Sequence, residues 1–511
     1  MRMSFRYQFR WSLRIAFILW SAAACWGCMS CSHTVPEEVG AVTRFDRLPE
    51  LYPDYRGVTV PPNIAPLHFS VKEEQGDYRL VIEGSDGGRI LLRERGGVHR
   101  PAARKWTGLL DRNREKALRV TLYRKEKGQW ISYRPFQIFV APDPIDPYLV
   151  YRLIPPGYET WSSMGLYQRD LTSFRETPLI ENRNAEENCV NCHSFNMGNP
   201  EEMLFHIRGS MGGTVIRKGN SVQKVNLKRE ETLSAGVYPA WHPSGDFIAF
   251  STNRIEQYFH AAPERSIEVL DRQSDLILYQ TESGVVTQVP GTAGDRYMET
   301  YPCWSPDGRW LYFSRSSAKA ETPFDSIRYD LYRQSFDPGS ATFGDEAELV
   351  FSATSLGRSA SFPRISPDGR YLLCTVHDYG TFPIWHAEAD LCLIDLSDRS
   401  WVIPETLNSD DTESFHSWSA NSRWVVVSSR RDDGRYTRPY LCYFDREGAF
   451  SKPFLLPQRD PEAYRTTIYA YNRPELISGD IGISPRKWIR LARQKNQQFN
   501  NQQQTNQHTI P

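Results

Sequence analysis

Tyr301-Pro302-Cys303-Trp304-Ser305-Pro306-Asp307-Gly308-Arg309-Trp310-Leu311-Tyr312-Phe313-Ser314 is the stretch whose reading decides the fold. A short apolar run ends in Trp304, Ser-Pro-Asp-Gly makes a tight turn, and an aromatic-rich run returns. That is a β-hairpin, and it recurs. Tyr238 opens an earlier copy with the turn altered to His242-Pro243-Ser244-Gly245. Phe362 opens a third with Ser366-Pro367-Asp368-Gly369 intact, and Phe415 a fourth in which the turn has become Ser419-Ala420-Asn421-Ser422. A second strand-like run follows each copy: Ile267–Leu270, Asp330–Tyr332, Asp390–Ile394 and Tyr440–Phe444. Four strands per repeat make one blade of a β-propeller. A propeller must close on itself. Leu204–Arg208 with Gly213–Ile216 and Val222–Val225 supply a further blade, and pairing around Leu476 to Ile483 completes one, so five or six blades are expected over residues 209–490.

Toward the N-terminus the period changes. From residue 51 to 147 short runs alternate with period two, among them Leu67–Val71, Tyr78–Ile82, Leu118–Tyr123 and Phe136–Val140, and turns such as Ser85-Asp86-Gly87-Gly88 separate them. About 100 residues of this pattern predict a β-sandwich. Ala141–Pro147, with three prolines, closes it as a stiff linker. The fold class is therefore all-β, with an N-terminal β-sandwich, a short segment over residues 148–208, then the propeller. That middle segment is rich in aromatics, and Trp161–Phe174 and Glu201–Phe205 read as short helices.

The middle segment holds Cys189-Val190-Asn191-Cys192-His193, a C-x-x-C-H sequence, which is the attachment signature of c-type haem. Two thiols form thioethers with the porphyrin vinyl groups, and the next residue sets an imidazole beneath the iron. With nine Cys and eleven His in 511 residues, chance would yield the pattern about 0.003 times per chain. Half a zinc site would want a second short-spaced ligand pair, and a thioredoxin-like site a βαβ context. Neither is present around Cys192. One covalent haem c is expected, with Cys189 and Cys192 as attachment points and His193 as proximal ligand. The segment is too short to bury a porphyrin alone, since a small cytochrome needs roughly 80 residues. The haem is therefore expected in a cleft between the sandwich and the part that follows, walled by the segment's aromatics. His206 is the expected sixth ligand, with Met203 and Met211 as alternatives and Met197 further off. Arg208, on the strand face of His206, is the candidate partner for a haem propionate.

Arg2, Arg6, Arg10 and Arg14 precede an apolar run from Ile15 to Ala24, then Cys25, Cys28 and Cys31. A core of about ten residues is too short to span a bilayer, which needs roughly 20, and fits an export signal. Residues 1–31 are read as a signal peptide with a lipoprotein-type cysteine, so the mature chain is expected at a bacterial membrane, on the periplasmic or outer-membrane face. Residues 32–50 read as a tether and residues 491–511, rich in Gln and Asn, as a disordered tail. Cys303, Cys374, Cys392 and Cys442 sit in apolar runs and read as buried free thiols. Lys+Arg and Asp+Glu are both 61, so no basic field points to nucleic acid.

The repeats resemble those of TolB-type, WD-like β-propellers. Over residues 50 to 485 the chain resembles a group of exported bacterial proteins that join a β-rich N-terminal region, one haem-c motif and such a propeller, often labelled as related to cytochrome c biosynthesis. The resemblance implies lipoprotein export and haem attachment, and it implies no reaction.

A single haem serves electron transfer, redox catalysis or sensing, and no acid–base set stands beside this motif. The reading is an electron-transfer haemoprotein that docks a redox or protein partner through the propeller face. The alternative is a propeller-based protein- or ligand-binding module whose haem is sensory or structural. At the rim of the channel, Tyr238, Glu299, Tyr301, Ser361, Glu413 and His416, with His377, Asp378 and His386 in neighbouring loops, are either a polar-ligand site or an ordinary solvated rim.

Overall fold

The computed structural model describes residues 44–155, 161–259, 267–317 and 321–497. The export signal and lipoprotein cysteines expected over residues 1–31 lie outside these, as does the tail beyond residue 497.

Six four-stranded antiparallel sheets follow the N-terminal region. Sheet II is Cys189–Asn196, Asn199–Arg208, Gly213–Lys218 and Ser221–Val225. Sheet III begins at Val237–Trp241, sheet IV at Met298–Trp304, sheet V at Ser359–Ile365 and sheet VI at Glu413–Trp418. Sheet I is made from both ends of the array. Tyr148–Ile154, Gly165–Asp170 and Glu176–Glu181 are joined by Ala470–Ile477, which pairs Tyr148 with Ile477 and Ile154 with Ala470. The leading strands of sheets II to VI and Ala470–Ile477 touch in a closed cycle. The C-terminal strand thereby fastens the ring, removing the open edge that two unpaired sheets would leave.

The turns explain the repeats. In sheet IV, Ser305 Oγ donates to Asp307 Oδ1 and accepts from the Trp310 N–H at 3.0 Å, and Gly308 adopts φ +70°. Sheet VI keeps the geometry with other residues: Asn421 stands for the aspartate, accepting from Ser419 Oγ, and Ser422 takes the left-handed position at φ 60°. Sheet II turns instead through Met197 and Gly198, both left-handed at φ 48° and 74°, as a two-residue hairpin requires.

Apolar clusters fill the spaces between neighbouring sheets. Leu166, Val190, Phe205 and Val215 join sheets I and II; Leu204, Ile216, Ile248 and Ile277 join II and III. The N-terminal region packs over the seam. Its core (Leu80, Trp106, Val120, Ile138) is continuous with Tyr151 and Tyr471 of sheet I and Trp424 and Leu441 of sheet VI. It holds two sheets, one of six strands and one of three. It also holds a helix absent from the sequence reading, Ala103–Arg112, which buries Trp106, Leu109 and Leu110 on one stripe.

The middle segment is no separate unit. Residues 148–208 supply three strands of sheet I and two of sheet II, and the boundary drawn between 208 and 209 falls inside sheet II. The two expected helices are strands, apart from one short turn at Trp161–Ser163. Glu201–Phe205 belongs to Asn199–Arg208, which pairs on both sides, so tertiary pairing overrides local propensity. At the C-terminus, helix Pro485–Ala492 is capped by Ser484 and buries Trp488, and Gln497 still donates to the Lys224 carbonyl at 2.6 Å. Residues 491–497, expected within a disordered tail, are therefore ordered, and the rest of that expected tail lies outside the described residues.

Candidate haem-attachment site

The motif is the innermost strand of sheet II. Cys189 pairs with Arg208, Val190 with Ile207 and Asn191 with His206; the next pair is Ser194 with Leu204. Cys192 and His193 are left over as a two-residue bulge. Its entry is fixed by side chains. Asn182 Oδ1 accepts the Val190 N–H at 2.9 Å, and Asn188 ties the Ala185 and Glu186 carbonyls to Ser210 and Met211.

The same bulge occurs in every innermost strand. Register shifts leave out Tyr238-Pro239, Tyr301-Pro302, Phe362-Pro363, Ser414-Phe415 and Arg473-Pro474. Cys192, Tyr238, Tyr301, Phe362 and Arg473 are all left-handed, with φ of 51°, 49°, 53°, 55° and 48°. Non-glycine residues bear such a conformation where surrounding structure enforces it. Together they form a girdle around the axis. Ring centroids lie 4.5 Å apart for Tyr238 and Tyr301, 4.6 Å for Tyr301 and Phe362, and 4.0 Å for Phe362 and Phe415. The Arg473 guanidinium lies 5.5 Å from the Phe415 centroid. Cys192 holds the remaining position of the six.

His193 takes the place that proline has in four of the other sheets. Its side chain is fully buried; neither ring nitrogen makes a hydrogen bond of good geometry among the described residues, and the Arg473 backbone is the polar group nearest to pairing with it. Burial, then the nearby Arg473 guanidinium, pushes its pKa down to about 3. The imidazole is neutral with a free lone pair, the form that ligates a metal. Arg152 stands beside the thiols, donating Nη2 to Cys189 Sγ at 3.2 Å and to Met164 Sδ. It is half-buried, its Nε is unpartnered, and no carboxylate ion-pairs with it among the described residues.

His206 is buried one strand out, its Nδ1 within 3.1 Å of Thr214 Oγ1, and burial pushes it down to about 4. Arg208 is exposed opposite Cys189. Met203 packs in the apolar cluster between sheets I and II, Met211 lies half-buried at its edge, and Met197 is exposed in the hairpin turn. Arg152, on a strand of sheet I, and Met164, just before the next one, escaped the site reading because they come together with the motif only through sheet I.

The donor set fits a c-type haem: two thiols, an imidazole without a well-formed hydrogen bond and guanidiniums without counter-charge. The axis offers little room, since the void inside the girdle is about 20 Å³, whereas cofactor pockets run to roughly 300–1,000 Å³. The open side of the motif is the strand's start, where Cys189 is partly exposed and Arg208 faces solvent.

The polar rim residues are engaged with one another. Arg315 donates to Glu299 at 2.9 Å, and burial pushes that carboxyl up to about 8. Glu413 accepts from Ser409, Ser429 and Arg431. His377 bonds Ser361, His386 lies between Glu388 and Glu268, His416 between two backbone carbonyls, and Asp378 accepts from Arg358. Among the described residues no group of three or more His, Cys, Asp or Glu could hold a metal ion. Cys303, Cys374, Cys392 and Cys442 are buried free thiols.

No protein-family model matches the chain, and no curated protein matches it. Among solved structures it is similar to an oligogalacturonate lyase from Vibrio parahaemolyticus (11% identity, 56% of this chain and 85% of that one, TM-score 0.31). It is also similar to a DUF4784 family protein from Bacteroides caccae (10% identity, 70% and 96%, TM-score 0.28). A third is prolyl oligopeptidase B from Galerina marginata (12% identity, 61% and 45%, TM-score 0.35), of which the chain spans under half the length. The β-propeller stands on the strand topology itself; likeness at this level carries nothing about activity.

Proposed function

We propose that this chain is an exported c-type haemoprotein of TolB-like propeller architecture that carries electrons on the periplasm-facing side of a bacterial membrane, anchored by a lipidated cysteine near its start. The observation that carries the reading is the His193 imidazole, buried without a well-formed hydrogen bond at either nitrogen and following two thiols on the same strand. A bound haem would supply one-electron chemistry at its iron. Cys189 and Cys192 would hold the group covalently. His193 presents a neutral ring nitrogen, and the rigid bulge fixes that ring's direction. Arg152 and Arg208 supply positive charge for the propionates.

His206 is a poor sixth ligand in this reading. It sits opposite Asn191 on a hydrogen-bonded neighbour strand, and such strands run about 4.8 Å apart. A porphyrin would have to part them to lie between His193 and His206. Met164, whose sulfur shares the Arg152 guanidinium with Cys189, is the thioether that would be available to a haem held by this motif.

The test is expression in a host with haem-attachment machinery, followed by denaturation and a visible spectrum. The wild type should keep its haem through denaturation. A Cys189→Ala, Cys192→Ala double variant that also keeps it would overturn the reading.

A further inference from the structure

We infer that the propeller axis binds one monoatomic anion of chloride size between the guanidiniums of Arg364 and Arg473. Both line the axial void of about 20 Å³, together with Tyr301, Phe362 and the prolines that follow them. That room suits one or two water-sized particles and excludes sulfate, phosphate or a carboxylate ligand.

The charges there do not balance. Arg473 is 9% exposed, and its Nε and Nη1 have no partner. One carboxylate faces the pair among the described residues: Glu475, at 3.6 Å from Arg364 and 3.9 Å from Arg473. Those distances are long for hydrogen bonds. Glu475 Oε2 is already taken by the Phe195 N–H at 3.0 Å. Burial pushes the Glu475 carboxyl up, which weakens it further as a counter-charge.

Two guanidiniums, Arg473 nearly buried and Arg364 about a quarter exposed at 26%, therefore share one distant carboxylate, and the buried uncompensated cation is costly. The aromatic girdle adds to the effect, because ring edges carry partial positive charge. Phe415 covers the Arg473 face, so the unpartnered N–H groups are the part left for a ligand. A halide satisfies N–H donors without needing donors of its own, and water does so less well.

The experiment is anomalous diffraction from crystals of the full chain transferred to bromide, paired with melting curves in sodium chloride and in sodium gluconate at equal ionic strength. One bromide peak should appear on the axis within reach of Arg473, and Tm should rise saturably with chloride only. The Cys189→Ala, Cys192→Ala variant should keep the peak, which separates this site from the haem reading. Arg473→Met should lose both effects. An axis with solvent density but no anomalous signal would mean a water site and overturn the inference. So would a peak that persists in Arg473→Met, which would mark an adventitious ion only. If Arg473→Met does not fold, the wild-type bromide peak decides alone.

Discussion

The bulge at Cys192-His193 and the bulge at Tyr301-Pro302 share one backbone and do opposite things with it. Both skip two residues of register, and both begin with a left-handed residue, at φ 51° and 53°. In sheet IV the strain is offset locally. Tyr301 packs edge-to-face between Tyr238 and Phe362, and Pro302 has no N–H to leave unpaired. In sheet II a small thiol faces the axis, and the proline's place is taken by an imidazole with two buried nitrogens that lack a well-formed hydrogen bond. Each unsatisfied buried group costs about 1–3 kcal/mol. A fold that solves the same corner with proline in four sheets thus carries a destabilising histidine in one. Such a local conflict marks a functional position.

The comparison can be pressed from the stable side first. Phe362→Ala removes ring contacts to both Tyr301 and Phe415, and denaturant unfolding should register a loss of about 3–5 kcal/mol. A loss well under 1 kcal/mol would mean that the girdle is not a structural ring. From the other side, His193→Val in the haem-free double-cysteine variant should stabilise the protein by on the order of 1 kcal/mol, because it removes unsatisfied nitrogens at similar volume. Clear destabilisation would show that the imidazole has a structural partner.

Sheet IV should also respond to alkali through Glu299. Its folded pKa is raised from 4.5 to about 8, so the folded state holds the proton more tightly than the unfolded state. Its contribution to stability is full below pH 4.5 and is lost as pH rises through about 8. Melting temperature should fall across that window, and Glu299→Gln should flatten the fall; a parallel profile in the variant would remove Glu299 as its source. The smallest effect is reserved for His206→Ala. It should cost about 1 kcal/mol for the Thr214 hydrogen bond and leave the spin state of the oxidised haem protein unchanged, while Met164→Ala should turn it high-spin. The reverse outcome would return the sixth position to His206.

How much of this could be read beforehand depends on how local the chemistry is. Ser305, Asp307 and Gly308 fix their turn within a few residues, so sheets III to VI are legible from the repeats. Sheet I is not, because its innermost strand, Ala470–Ile477, comes from the far end of the chain. Glu201-Glu202-Met203-Leu204-Phe205 has helical propensity and no turn signal to contradict it; only pairing with Cys189–Asn196 on one side and Gly213–Lys218 on the other makes it a strand. The C-x-x-C-H spacing names the chemistry but not its setting. That Cys192 and His193 stand where Tyr-Pro stands elsewhere follows from register shifts, which no periodicity reveals.

The most direct test is peptide mass spectrometry of proteolysed protein made with haem-attachment machinery. The peptide containing Cys189-Val190-Asn191-Cys192-His193 should carry the mass of one haem, and no other peptide should. Recovery of that peptide with both thiols unmodified and alkylatable would contradict the account.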